Sequence, residues 1–127
     1  MLRTLAVIFS MMLATGAYAQ HKHGHGGVEK GPNGGLLVEA GDYHMELITR
    51  GDVVDVNIMD HDNKPQPTKG YKGVVILSVQ GKSQRIVLEP AEPSRLTGKA
   101  AGSLPADSKG VVQITPPNGK TVQARFN

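Results

Sequence analysis

From residue 36 onward, apolar and polar residues alternate in short runs that Gly, Pro, Asn and Asp interrupt about every ten residues. Successive side chains of a strand point to opposite sheet faces, so this period of two predicts β-strands. We expect an all-β domain over residues 36–127, a seven- to eight-stranded antiparallel β-sandwich with an open barrel as the alternative. The predicted strands are 36–40, 43–50, 53–60, 72–80, 83–89, 95–100, 110–115 and 121–126.

The second and third predicted strands can form a hairpin with Gly51 and Asp52 in the turn. With that turn, Met45 lies opposite Ile58, and apolar residues oppose apolar residues along one face of the hairpin. A slip of one residue would mix the two faces, so the pattern defines the register.

The other face of this hairpin gathers residue types that bind transition metals. His44 lies opposite Met59, and Asp42, Glu46 and His61 are on the same face. Opposed side chains are about 5 Å apart, which lets them share an ion. Imidazole with thioether suits copper, whereas imidazole with carboxylate suits zinc, cobalt or nickel. The competing interpretation is the ordinary solvent-exposed face of an antiparallel pair.

Residues 1–19 have the pattern of a cleavable export signal. Arg3 supplies the positive end, residues 5–14 are apolar, and Ala17 and Ala19 fit the small-x-small cleavage rule. The apolar run is shorter than the roughly 20 residues that a bilayer span needs. We therefore expect a periplasmic mature chain that starts at Gln20 and has no membrane segment, with an uncleaved anchor as the alternative.

Residues 20–35 are predicted to be a flexible arm, since they contain six glycines and almost no apolar residue. The arm carries His21, His23 and His25, whose imidazoles suit Cu(II), Ni(II) and Zn(II). Cleavage before Gln20 would place His21 second, where the free amine and the imidazole can chelate copper together. The alternative is a solubilising linker whose histidines are incidental.

Composition and charge limit the classes of site and partner that we expect. The chain has no cysteine, which excludes disulfides, cysteine-ligated zinc and iron–sulfur centres. The formal net charge of +3 comes from scattered basic residues without aromatic interleaving, so we expect no nucleic-acid partner. Neither Gly-x-Ser-x-Gly nor His-Glu-x-x-His occurs, and we expect no catalytic activity.

Four segments carry a resemblance to a known family: Gly-Pro-Asn-Gly-Gly at 31–35, and residues 39–47, 60–65 and 119–126. Together they resemble a small periplasmic domain that occurs alone or fused to periplasmic adaptor subunits of heavy-metal efflux pumps of the resistance-nodulation-division class. The resemblance covers residues 31–126.

The resemblance implies handling of copper, zinc, cobalt or nickel as an accessory to export, with an efflux-pump periplasmic subunit as partner. His44 and His61 match the histidine positions of that family, whereas Asn33 stands where the family commonly has histidine. The leading hypothesis is a non-catalytic metal-buffering or metal-delivering protein of the periplasm. The alternative is a β-sandwich interaction module of an envelope complex with an incidental histidine tail.

Overall fold

The computed structural model describes residues 28–127, and every helix or strand assigned there is a β-strand, which confirms the all-β prediction. Within this part of the chain, no helix is long and apolar enough to cross a membrane. The strands are β1 (Glu29–Lys30), β2 (Leu36–Ala40), β3 (Tyr43–Arg50), β4 (Val53–Met59), β5 (Lys72–Val79), β6 (Lys82–Ala91), β7 (Arg95–Lys99), β8 (Lys109–Thr115) and β9 (Val122–Phe126).

The nine strands are antiparallel and form one hydrogen-bonded sheet in the order β1-β2-β3-β4-β7-β6-β5-β8-β9. Strand β6 makes the sheet continuous, because its residues up to Leu88 pair with β5 while Glu89 to Ala91 pair with β7. The sheet curls into a half-barrel that brings β2 close to β9. A sandwich of seven or eight strands is therefore not confirmed.

The predicted register of the β3–β4 hairpin is confirmed. Met45 pairs with Ile58 and His44 with Met59, and the strands are joined by Gly51 and Asp52. Gly51 has a φ of 59°, the left-handed conformation that a tight two-residue turn demands and that glycine adopts without steric cost.

The hydrophobic core fills the inside of the curl. It is built from alternate residues of the strands, chiefly Val, Ile and Leu, to which Met45 and Phe126 add two fully buried large side chains. The alternation in the sequence thus marks the inner face correctly.

The domain begins before residue 36. Residues 29–30 pair with β2, and the turn from Gly31 to Gly35 closes on itself through Gly31 N–H to Gly35 O at 2.8 Å. This part of the predicted arm is ordered because its backbone donors bind the outer side of β3, as described below. His21, His23 and His25 lie outside the described residues.

Candidate functional site

The confirmed register places the predicted metal donors of β3 and β4 on the outer face of the hairpin, opposite to the core. His44 faces Met59, and Glu46 faces Asn57. Two of the side chains on this face are buried, since Glu46 is 0 % exposed and Met59 is 4 % exposed.

Glu46 is buried because the turn from Gly31 to Gly35 folds over it. Its Oε2 accepts the backbone N–H groups of Asn33 (2.8 Å) and Gly35 (2.9 Å), and its Oε1 accepts the Asn33 side-chain amide (2.7 Å) and that of Asn57 (3.4 Å). Burial raises the pKa of Glu46, but these hydrogen bonds outweigh it and hold the pKa below the ordinary glutamate value. Both carboxylate oxygens are thus already engaged by donors from the protein.

The glycines of this turn are required by its close approach to β3. A Cβ on Gly35 would lie 2.5 Å from the carbonyl oxygen of Leu47, and one on Gly31 would collide with the carboxylate of Glu46. The Gly-Pro-Asn-Gly-Gly segment therefore has a structural explanation: it brings the donors of Asn33 onto a buried charge.

His44 has an acceptor at each ring nitrogen. Nδ1 lies 2.6 Å from Oδ1 of Asn63, and Nε2 lies 2.7 Å from Oε1 of Glu39. The His44 side chain is 12 % exposed and that of Glu39 is 78 % exposed, so the pair lies at the protein surface with most of the imidazole covered. The hydrogen bond to Asn63 is the main cause of a raised His44 pKa; burial opposes it, and Glu39 and the charge of Asp60 reinforce it.

Asn63 reaches His44 because the turn after β4 is tightly formed. The carboxylate of Asp60 accepts the backbone N–H groups of Asp62 and Lys64, both at 2.9 Å, and these bonds hold the pKa of Asp60 below its ordinary value against burial. Asn63 has a φ of 59°, a conformation that asparagine tolerates better than most residues. The turn is therefore shaped to present the Asn63 amide to the imidazole.

The remaining predicted donors are distributed around this end of the hairpin. His61 is exposed in the turn after β4, and Asp42 is exposed in the turn between β2 and β3. Residues 28–127 contain no group of three or more His, Asp or Glu side chains arranged to hold one metal ion. Within that part of the chain, His44 and Glu39 form a two-donor arrangement.

Glu39 and Asn63 are partners of His44 that the alternation along the sequence does not indicate. The signal for Glu39 is in the register of β2 and β3, which pairs it directly with His44 across the Gly41–Asp42 turn. Asn63 has no such signal, since its contact depends on how the turn after β4 bends.

Comparison with protein-family models, curated proteins and solved structures gave no match to this chain.

Proposed function

We propose that this protein is a non-catalytic, exported transition-metal-binding protein of the periplasm, an accessory that buffers or delivers the ion in heavy-metal efflux or resistance. The observation that carries the proposal is the placement of the His44 Nε2 atom 2.7 Å from a carboxylate oxygen of Glu39, with Asn63 on the other ring nitrogen. The pair is near the surface, where an ion can reach it.

The chemistry of this pair favours a cation. A carboxylate only accepts, so a favourable contact between the Glu39 oxygen and His44 Nε2 needs a proton or a metal ion between them. Ligand bonds of about 2.0–2.2 Å to one tetrahedral zinc ion place two ligand atoms about 3.4 Å apart, so Glu39 Oε1 would have to move roughly 0.7 Å from its present place 2.7 Å from His44 Nε2. Glu39 is mostly exposed and can make the small adjustment. Asn63 would keep the proton on Nδ1 and leave the Nε2 lone pair for the metal, as outer-shell acceptors of ligand histidines do.

The histidine tail would complete the coordination sphere. Strand β1 runs antiparallel to β2 with Glu29 opposite Leu37, so the chain before β1 joins the sheet at the end where Glu39 lies. Three tail imidazoles together with the His44–Glu39 pair supply the nitrogen and oxygen donors that Cu(II), Ni(II), Co(II) and Zn(II) accept.

Titration calorimetry with Zn(II) and Cu(II) on the form that starts at Gln20 tests the proposal. A variant with His21, His23 and His25 changed to Ala is expected to keep one weaker site, and adding Glu39→Gln should remove it. Changing Glu89 to Gln in the same background is the matched control, since Glu89 is exposed on β6.

The outcomes separate the two parts of the proposal. If the triple variant binds the metals as tightly as the parent, the tail is not a ligand. If Glu39→Gln leaves the residual site unchanged, the His44–Glu39 pair is not a ligand. The absence of binding by the parent protein contradicts the function itself.

A protein-interaction module is the second candidate, and the outer face of β5 and β6 favours it. Ile76 and Val87 are 38 % and 57 % exposed on that face. A photo-crosslinking residue at position 87 is expected to give a specific product in cells, whereas one at the exposed Gln123 should not. The same products from both positions contradict this role.

A further inference from the structure

The outer face of β5, β6 and β8 carries four aliphatic side chains that lie side by side. Val87 of β6 pairs with Val74 of β5, and Ile76 of β5 pairs with Val111 of β8. Val74 and Ile76 are two residues apart on one strand, so they point to the same face. Paired side chains are about 5 Å apart. The four residues therefore form one continuous surface, the aliphatic patch, which runs diagonally from β6 to β8.

The aliphatic patch is accessible, whereas the opposite face of the same strands is core. Val75 and Leu77 on β5 and Ile86 on β6 are buried. Ile76 and Val87 are exposed large hydrophobic residues. Single exposed aliphatic residues are ordinary on a protein surface, but contiguous ones are typical of an interaction site.

An arginine stands on each side of this patch. Arg85 of β6 pairs with Ile76, and Arg125 of β9 pairs with Val111, so the two guanidinium groups flank one apolar row across four strands. Both arginines are exposed. Three strand spacings separate their backbones by about 14 Å. A segment that covers the patch thus meets positive charge on both sides.

The other charges of this face add to the positive excess. Lys72 and Lys109 are exposed at alternate positions of β5 and β8, in phase with the aliphatic patch. None of the ion pairs formed among residues 28–127 includes these lysines or the two arginines. Glu89 is a carboxylate in the same phase of β6, but it lies where β6 has left β5 and pairs with β7.

The combination of charge and side-chain type selects among possible occupants. A second copy of this chain would bring like charges together, which is unfavourable. A lipid surface is favoured by aromatic anchors, whereas the patch consists of valine and isoleucine. Protein surfaces offer both aliphatic groups and carboxylates. Gln113 and Gln123, whose amides bind each other at 2.9 Å, form the polar margin of the patch.

We propose that the aliphatic patch docks a partner protein through a segment whose aliphatic residues are bordered by carboxylates. The aliphatic side chains pack on Ile76 and Val87, and the carboxylates pair with Arg85 and Arg125, whose forked donors match carboxylate geometry. This inference rests on the interaction role proposed above and names the chemistry of the partner. It does not depend on metal binding.

The test places the photo-crosslinking residue p-benzoyl-L-phenylalanine at position 87 of the full chain, in the cells that make it. Mass spectrometry of the product is expected to map the crosslink to a partner segment with Asp or Glu beside aliphatic residues. Changing Arg85 and Arg125 together to Glu should reduce the product at least about tenfold, because it places like charges across the contact. Lys30 and Lys69 together changed to Glu are the matched control, since both are exposed outside this face and alter the net charge equally.

A charge exchange keeps the test independent of folding. Lysines in place of the mapped carboxylates of the partner should restore the product with the Arg85→Glu, Arg125→Glu variant, which a misfolded variant could not do. A product that this variant leaves unchanged, or that the control pair reduces equally, overturns the acidic partner but keeps the interaction role. A crosslink to lipid or to a second copy of the chain overturns the proposal. The absence of any product at position 87 overturns the interaction role as well.

Discussion

Changing Glu46 to Gln keeps the shape of the side chain and removes its charge, and it should destabilise the protein strongly. The carboxylate accepts four hydrogen bonds, two at each oxygen, in a place with no solvent exposure. Glutamine supplies a single oxygen, so its NH₂ group would meet the donor that now lies 2.7 Å away on Asn33. The hydrogen bonds that Oε1 of Glu46 accepts from the side-chain amides of Asn33 and Asn57 are then lost.

The size of the effect follows from these contacts. Hydrogen bonds to a charged group contribute about 1.5–3 kcal/mol each, and relief from burying the charge offsets part of the loss. We expect the free energy of unfolding to fall by about 2–3 kcal/mol, which lowers the melting temperature of a domain of this size by roughly 10–20 °C.

The pH dependence supplies an independent check. The pKa of Glu46 is lowered in the folded protein, so the unfolded chain binds more protons and this side chain stabilises the fold above the ordinary glutamate pKa. That contribution is lost as the pH falls through the lower, folded-state pKa. The stability difference between the parent and Glu46→Gln should therefore shrink in acid.

Urea and thermal unfolding, followed by circular dichroism between pH 7 and pH 3, measure both effects. Glu89→Gln is the control, since an exposed glutamate should change stability by less than about 0.5 kcal/mol. If Glu46→Gln is as stable as this control at pH 7, or if its deficit is the same at all pH values, the account of the buried carboxylate is wrong.

Two further predictions concern the neighbouring contacts. The pKa of His44 is expected above its ordinary value in a proton NMR titration, and Glu39→Gln should lower it. Asn63→Gly should lower it as well, and glycine tolerates the left-handed backbone at that position. Because the pKa of His44 is raised on folding, the contribution of His44 to the stability is complete below the ordinary histidine pKa and is lost as the pH rises through the raised value. An unshifted His44 pKa would contradict the hydrogen bonds to Asn63 and Glu39. Gly35→Ala should cost about 1–3 kcal/mol in chemical unfolding, because its Cβ would lie 2.5 Å from a backbone oxygen of β3. Gly102→Ala, whose Cβ would meet no atom within 4 Å, should cost less than about 0.5 kcal/mol, and equal costs for both would contradict the close approach.

The hairpin could be predicted from the sequence because two independent signals agree on it. The turn at Gly51 and the opposition of Met45 with Ile58 select the same register, which the structure has. The closure of the sheet has no comparable local signal. It depends on β6, whose two ends pair with different strands, and nothing in the alternation of residues 82–91 marks the point where the partner changes.

Asn33 shows why the outer face of the hairpin could not be interpreted from its own two strands. The alternation places Glu46 away from the core, and a two-stranded view leaves it in solvent. Its burial comes from a turn 13 residues earlier in the chain, whose glycines allow contact with β3. Asn33 is thus a hydrogen-bond donor to a buried carboxylate. His44 takes its partners from Glu39 and Asn63, so the proposed metal pair does not use Asn33 as a donor.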